Sequence, residues 1–352
     1  MTEEQEENQQ ADAQKTARFG RPSRLLGLLV LAASLTGGWF WLDYQQFLQR
    51  PLNIPKGGLV YTLKPGTTLR ALAEDLAAKN VLRNPWYLRA LGRLEPHAQQ
   101  IKAGEYLLPE GIKPRALLAL FIQGRVTQHS LTLVEGWTFA QVMAAVRRDK
   151  VLEHTLDGLD AASVMERLGH AGEHPEGRFY PDTYRFPRGA TDVQFLARAY
   201  RVMEKVLEEE WAERAPDLPL KNPYEALILA SIVEKETGRP EERAEIAGVF
   251  VRRLRKGMKL QTDPTVIYGM GARYDGNIRR KDLREDTPYN TYVHTGLPPT
   301  PIAMPGRAAI HAVLHPAGGD ALFFVARGDG SHQFSATLKA HTRAVRKYQL
   351  KK

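Results

Sequence analysis

Residues 25–42 read LLGLLVLAASLTGGWFWL, eighteen consecutive positions without a charge, and this run restricts the chain more than any other feature. A helix crosses a hydrocarbon core of about 30 Å with about 20 apolar residues, so the run can span a bilayer once. Lys15, Arg18, Arg21 and Arg24 precede it, whereas no base follows until Arg50, which places the amino terminus in the cytoplasm. Trp39 and Trp41 stand at the exit end, where indole rings favour the water–lipid boundary. A cleaved signal peptide is the competing interpretation, but its apolar region would be long and no small-x-small cleavage site precedes the tryptophans. The expectation is an uncleaved anchor: residues 1–24 a cytoplasmic tail, 25–42 a transmembrane helix and 43–57 a juxtamembrane linker. All that follows would lie on the periplasmic side of the cell inner membrane.

Export decides what the composition means. The chain has 352 residues, with 49 Lys and Arg against 40 Asp and Glu, and its formal charge of +9 invites a nucleic-acid partner. An exported protein meets little DNA, however, and the bases are scattered rather than interleaved with stacking aromatics, so nucleic acid is not expected as a partner. The absence of cysteine excludes thiol nucleophiles, disulfides and Cys-ligated zinc, and it suits an oxidising compartment. With 43% hydrophobic and 25% charged residues, the exported part should fold around packed cores.

The exported part begins with a repeat. Leu63-Lys64-Pro65-Gly66-Thr67-Thr68-Leu69 returns seventy positions later as Leu133-Val134-Glu135-Gly136-Trp137-Thr138-Phe139. Each copy runs into a helical pattern, Leu69, Leu72, Ala73, Leu76 in one and Phe139, Val142, Met143, Val146 in the other. A strand, a glycine turn, a capping threonine and an amphipathic helix thus form one unit used at least twice. A looser copy runs from Gly104-Glu105-Tyr106 through Gly111 to Leu117, Leu118 and Phe121. The Gly-x-Thr-Leu start followed by an Ala-rich helix resembles a LysM module, a small fold that binds N-acetylglucosamine-containing glycans. Residues 58–128 are assigned to this LysM-like unit, and 129–352 to the main domain. The fold class expected is α+β: one transmembrane helix, the small α/β unit, then a mixed α+β domain.

The most informative helix opens at Asn222-Pro223-Tyr224-Glu225, with Asn suited to the N-cap, Pro to the first position and Glu at N3 to a capping box. It runs through Ala226-Leu227-Ile228-Leu229-Ala230-Ser231-Ile232-Val233-Glu234-Lys235-Glu236-Thr237, and Gly238 supplies a stop. At about 100° per residue, Glu236 falls about 40° from Ile232, inside the apolar stripe, and Glu234 about 200° away. The two carboxylates therefore do not form a pair. A carboxyl on an apolar face is desolvated, which raises its pKa and keeps it protonated as a general acid near neutrality. The alternative at this point is a solvent-facing Glu236 paired with Arg239 or Arg243. A second helix over 240–256 follows, and then come irregular stretches dense in amide, hydroxyl and aromatic groups, the chemistry that reads sugar hydroxyls and stacks on pyranose rings. Towards the end, 322–335 reads as a β-hairpin before a helix reaching Tyr348. His311 and His315 are four apart, but no Glu accompanies them as in a zinc-protease motif, so no metal site is assigned.

Ala230-Ser231-Ile232-Val233-Glu234-Lys235-Glu236-Thr237, Leu260-Gln261-Thr262-Asp263-Pro264-Thr265-Val266-Ile267-Tyr268-Gly269, Tyr289-Asn290-Thr291-Tyr292 and Gly296-Leu297-Pro298-Pro299 follow in that order. Together they closely resemble the YceG-like family of endolytic murein lytic transglycosylases, and Gly177-Arg178-Phe179-Tyr180-Pro181-Asp182-Thr183-Tyr184 matches its upstream segment. The resemblance implies cleavage of the β-1,4 bond between N-acetylmuramic acid and N-acetylglucosamine within peptidoglycan strands, leaving 1,6-anhydro ends. It also implies a role in cell-wall assembly as a terminator of glycan polymerisation. It maps the catalytic Glu onto Glu236 and suggests Asp182, Thr183, Tyr184, Gln261, Thr262, Asp263, Tyr289, Asn290, Thr291 and Tyr292 as substrate-binding residues. No cofactor is expected; the partners would be peptidoglycan glycan strands and cell-wall synthases of the penicillin-binding kind. A non-catalytic peptidoglycan-binding scaffold and a hydrolytic muramidase are the rival functions.

Overall fold

A computed structural model describes residues 22–350, so the expected cytoplasmic tail up to residue 21 lies outside the described residues. The chain divides into two compact units, Met1–Thr127 and Gln128–Lys352.

The first unit begins with helix α1, Pro22–Gln49, whose Leu25–Gln49 part contains an 18-residue window of mean hydropathy 1.8, none of it buried. By length and composition it can cross a membrane once. The helix outruns the charge-free stretch by seven residues, and the segment expected as a linker is packed: Leu48, Leu52 and Ile54 are buried, and Leu52 N–H donates to the Ile112 carbonyl at 2.9 Å. Strands β1 (Leu59–Leu63) and β2 (Gly104–Leu108) pair antiparallel, Leu59 opposite Leu108 and Leu63 opposite Gly104. Between them lie α2 (Leu69–Ala78) and α3 (Pro85–Leu94), and α4 (Pro114–Gln123) follows β2. Leu72, Leu76, Leu88, Leu91, Tyr106 and Phe121 fill the space between sheet and helices and are fully buried. Each such leucine contributes about 1.5–3 kcal/mol relative to its exposed state.

The second unit opens by reusing the same strand–turn–helix design. Strand β3 (Gln128–Thr132) leads to α5 (Phe139–Arg148) as β1 leads to α2, with Gly66 and Gly136 both at φ 76°. Thr68 accepts from Ala71 N–H and Thr138 from Gln141 N–H, the same cap in both copies. Leu72, Leu76, Val142 and Val146 are all 0% exposed, so the apolar periodicity of each copy faces a core. In the looser third copy, Gly111 also takes φ 76°, but Lys113 provides no side-chain cap and Pro114 starts the helix.

Beyond α5 come α6 (Ala161–Arg167), β4 (Thr183–Pro187, antiparallel to β3), α7 (Asp192–Ala212), α8 (Pro223–Glu236), α9 (Arg243–Arg255), α10 (Asp263–Met270) and α11 (Arg307–Leu314). The hairpin β5 (Phe323–Ala326) and β6 (His332–Ser335) and helix α12 (Leu338–Tyr348) complete the mixed α+β architecture. Helix α8 runs through the main core, where α7, α9 and α11 pack around it.

Candidate active site

Asn222 caps α8 as expected, its Oδ1 accepting from Glu225 N–H at 2.9 Å. Glu225 reaches one residue further back than a capping box requires and accepts from Lys221 N–H at 2.7 Å. The helix ends at Glu236 through an extended Thr237 (φ −140°), not through a left-handed Gly238. All eight residues from Ala226 to Val233 are buried, so the helix is apolar on every side rather than along one stripe. Ser231 fits this interior because its hydroxyl donates to the Ile228 carbonyl and accepts from Ile302 N–H. Helix α8 is thereby a rigid rod whose last side chain, Glu236, emerges half-buried into a cleft of about 490 Å³.

Burial pushes the Glu236 carboxyl up to about 7, and the negative charge of Asp263 adds to the rise. The Thr262 hydroxyl, which donates to Glu236 Oε1, and the nearby His332 oppose it. The carbonyl-rich end of α8 is also a poor place for a carboxylate, which works in the same direction as burial. The group is therefore available both as acid and as base near neutral pH.

A polar knot holds Thr262 against this carboxyl. Gln261 takes a left-handed backbone (φ 53°) and donates its N–H to the Thr291 carbonyl at 3.1 Å. Thr262 N–H donates to Thr291 Oγ1 at 3.1 Å, and Thr265 Oγ1 bonds both the Thr262 carbonyl and Thr291 Oγ1. Beneath the loop, buried Arg253 donates to the carbonyls of Lys259, Leu260 and Leu322, which ties α9 to both the loop and the β5 hairpin. Tyr292 donates its hydroxyl to Asp263 Oδ1 at 2.6 Å, and burial holds that phenol well above its ordinary range.

The opposite wall comes from β5, β6 and α12, where Phe323, Phe324, His332 and His341 face the cleft. His332 is fixed by Glu242, which accepts from its backbone N–H at 2.9 Å and meets its Nδ1 at 2.7 Å. Arg239 reaches across to the Asp329 carbonyl at 2.7 Å and anchors the hairpin tip. Sequence reasoning had placed this hairpin but not assigned it to the site, because its contacts to 239–242 are made by residues about ninety positions away.

The structure gathers Glu236, Gln261, Asp263 and Tyr292 on the cleft, with Thr262 behind Glu236. Asn290 and Thr291 are buried and hold the loop from within; Asn290 Nδ2 donates to the carbonyls of Asp282 and Glu285. Tyr289 packs on Tyr268 and bonds Thr300. Asp182, Thr183 and Tyr184, expected as substrate-binding residues, are not among those that line this cleft. Asp182 accepts from Leu133 and Thr183 amides, Thr183 Oγ1 meets Thr132 Oγ1, and buried Tyr184 donates to the Tyr180 carbonyl, so their polar groups build the β3–β4 ladder and its approach. Glu234 is also buried, pairing with Arg243 at 3.5 Å and accepting from Gly306 N–H at 3.0 Å, well separated in role from Glu236. Glu176 was not anticipated: burial raises it to about 7 while it accepts from Phe139 N–H and Tyr268. Of the histidine pair four residues apart, His311 meets Glu210 at 2.8 Å. Among the described residues no cluster of three or more His, Asp or Glu could hold a metal ion.

A carboxylic acid poised near neutrality at the end of a buried helix, in an open cleft walled by aromatics, has the properties that general acid–base chemistry requires. The chain belongs to the YceG-like family, whose profile matches residues 61–347. It is 30% identical over 318 residues to a Bacillus subtilis protein named endolytic murein transglycosylase, covering 84% of each chain. A Streptococcus pneumoniae protein of the same name is 26% identical over 355 residues, covering 90% of this chain and 63% of its own length. A crystal structure of a YceG-like protein from Listeria monocytogenes superposes with a TM-score of 0.51 at 28% identity, covering 81% of this chain and 98% of that one.

Proposed function

We propose that this chain is an endolytic lytic transglycosylase that cleaves the β-1,4 bond between N-acetylmuramic acid and N-acetylglucosamine within peptidoglycan strands. The observation that carries the proposal is Glu236, whose carboxyl is raised to about 7 by burial at the cleft wall. Protonated Glu236 gives its proton to the glycosidic oxygen as the bond to the muramoyl anomeric carbon breaks, releasing the 4-hydroxyl of the neighbouring sugar. The resulting carboxylate takes the proton of the muramoyl 6-hydroxyl, whose oxygen closes on the anomeric carbon to give the 1,6-anhydro end. No water is consumed, and one group serves both steps. Thr262 holds the carboxyl in place, while Gln261, Tyr292 and the aromatic wall offer contacts to sugar rings and hydroxyls.

A second reading has one specific observation in its favour. Asp263 lines the same cleft and its charge bears on Glu236, so a two-carboxylate hydrolase is chemically conceivable. Hydrolysis would leave reducing ends instead of anhydro ends. Mass spectrometry of fragments released from purified sacculi separates the two.

The first unit is assigned as the LysM-like glycan holder. Its support is a groove of about 940 Å³ at the Gly66–Thr68 turn, edged by Arg70, Arg93, His97, Gln99 and Gln100. Helix α1 is assigned as a single-pass anchor in the inner membrane, with the amino terminus cytoplasmic because the bases precede the span. The assignment places the enzyme beside the synthases that lay down new strands, as a terminator of their polymerisation. A C-terminal reporter active only outside the cytoplasm tests the orientation.

A further inference from the structure

We propose that the first unit carries a binding site for the phosphate of an anionic phospholipid headgroup, at the point where α1 leaves the membrane. It rests on the reading of α1 as a membrane span.

The depth of the site follows from helix geometry. The charge-free run ends at Leu42 and α1 continues to Gln49, a rise of about 10 Å at about 1.5 Å per residue. The headgroup layer is about 5–7 Å thick on each side of the hydrocarbon core. Asp43 to Phe47 therefore lie at headgroup level, with Trp39 and Trp41 just below in the belt that indoles prefer. From that level outward the first unit has a cavity of about 520 Å³, walled by α1 through Asp43 and Phe47, by Arg50 just past the end of α1, by the α2–α3 connection through Arg83 and Asn84, and by Tyr87 of α3.

The position of the cavity is fixed by packing. Tyr87 donates its hydroxyl to Asp43, and the Tyr87 ring lies 5.9 Å from Tyr44 and 5.4 Å from Phe47. Leu48, one turn further along, is buried in the core of the unit. The start of α3 is thus held against the first turns of α1 beyond the span.

The chemistry of the walls selects an anion. Arg50 and Arg83 are exposed; among the described residues the Arg50 guanidinium bonds only the neutral Gln46, and Arg83 has no ion-pair or hydrogen-bond partner. Asp43, which accepts from the Tyr87 hydroxyl, is the one acid on the wall, and its single negative charge is outweighed by the two guanidiniums. Next to Tyr87, Trp86 is 61% exposed with the Arg89 guanidinium 4.3 Å over its ring. A phosphodiester fits two guanidiniums that have no acidic partner, which bind phosphate oxygens in paired fashion, while its acyl chains lie along α1.

The test uses the full chain in phosphatidylcholine bilayers with trace lipids spin-labelled on the acyl chain, either phosphatidylglycerol or phosphatidylcholine. Electron spin resonance then gives the motionally restricted fraction of each. At about 1 kcal/mol per arginine near an anionic headgroup, each contributes about fivefold to the preference for phosphatidylglycerol. Arg50→Gln with Arg83→Gln should reduce that preference at least tenfold while leaving the restricted phosphatidylcholine unchanged. Both side chains are exposed, so the fold tolerates the change. Equal preference in wild type and variant overturns the proposal. Loss of the preference on adding millimolar inorganic phosphate at constant ionic strength overturns it in favour of a free-phosphate site. Absence of any restricted lipid, of either headgroup, overturns the membrane span itself, whereas loss of glycan cleavage would leave all these readouts untouched.

Discussion

Replacing Glu236 by glutamine should stabilise the protein in mild alkali and change it little in mild acid. The carboxyl rises from 4.5 in the unfolded chain to about 7 in the folded one, chiefly through burial. A raised carboxyl pKa means that the folded state holds the proton more tightly. Its stability is therefore intact below about pH 4.5 and declines as pH climbs to about 7. At 1.36 kcal/mol per unit the full loss is about 3 kcal/mol, and about 2.5 kcal/mol of it develops between about pH 5 and about pH 8. Glutamine is neutral throughout and keeps an oxygen for the Thr262 hydroxyl, so it escapes this loss. Glu176, also raised to about 7, titrates alike in both proteins and cancels in the difference. Guanidinium denaturation of the full chain, followed by hydrogen exchange of α8 peptides, reads the transition of the second unit. An equal wild-type-to-variant gap at both pH values would refute the buried-carboxyl account, as would destabilisation of the variant at pH 8.

Other outcomes follow from the same geometry. Glycan cleavage should fall as pH rises through about 7, because Glu236 loses the proton it must donate; an undiminished rate at pH 9 contradicts this. Glu234→Ala should cost about 2–4 kcal/mol by stranding Arg243 and the Gly306 amide, while activity per folded molecule survives at permissive temperature. Arg253→Met should cost a similar amount and lower cleavage with it, since Arg253 joins the Leu260–Gln261 loop to the hairpin wall. Gln99→Ala with Gln100→Ala should weaken retention on sacculi without altering the product ends, which a co-sedimentation assay reads.

Much of this was legible because it is local. The Asn222 cap, the glycine turns before α2 and α5 and the burial of Leu72 and Val142 follow from a few consecutive residues. A helical wheel put Glu236 on an apolar face but left a solvent-facing alternative open, and it was the resemblance that singled the residue out; the wheel also misjudged the helix itself. Because α8 is enclosed on all sides, Glu234 is as much an interior residue as Glu236 and differs in having Arg243 for a partner. The upstream segment carrying Asp182, Thr183 and Tyr184 was assigned through its resemblance to a family motif, and its place on the β3–β4 ladder rests on pairing with Thr132 and contact with Tyr180 that no local pattern signals. The hairpin wall could not be assigned from sequence, since Glu242–His332 and Arg253–Leu322 are long-range contacts with no local signature. Glu176 lacked a signal for the same reason: the groups that donate to it, Phe139 N–H and the Tyr268 hydroxyl, are distant in the chain.

The most direct test of the central claim is mass spectrometry of fragments released from purified sacculi by the wild-type chain and by Glu236→Gln at equal folded concentration. The account predicts 1,6-anhydro ends from the wild type, with the rate in the variant reduced by about 10²–10⁴, as for loss of a general acid–base. Reducing ends from the wild type, or anhydro ends formed by the variant at near-normal rate, would contradict it.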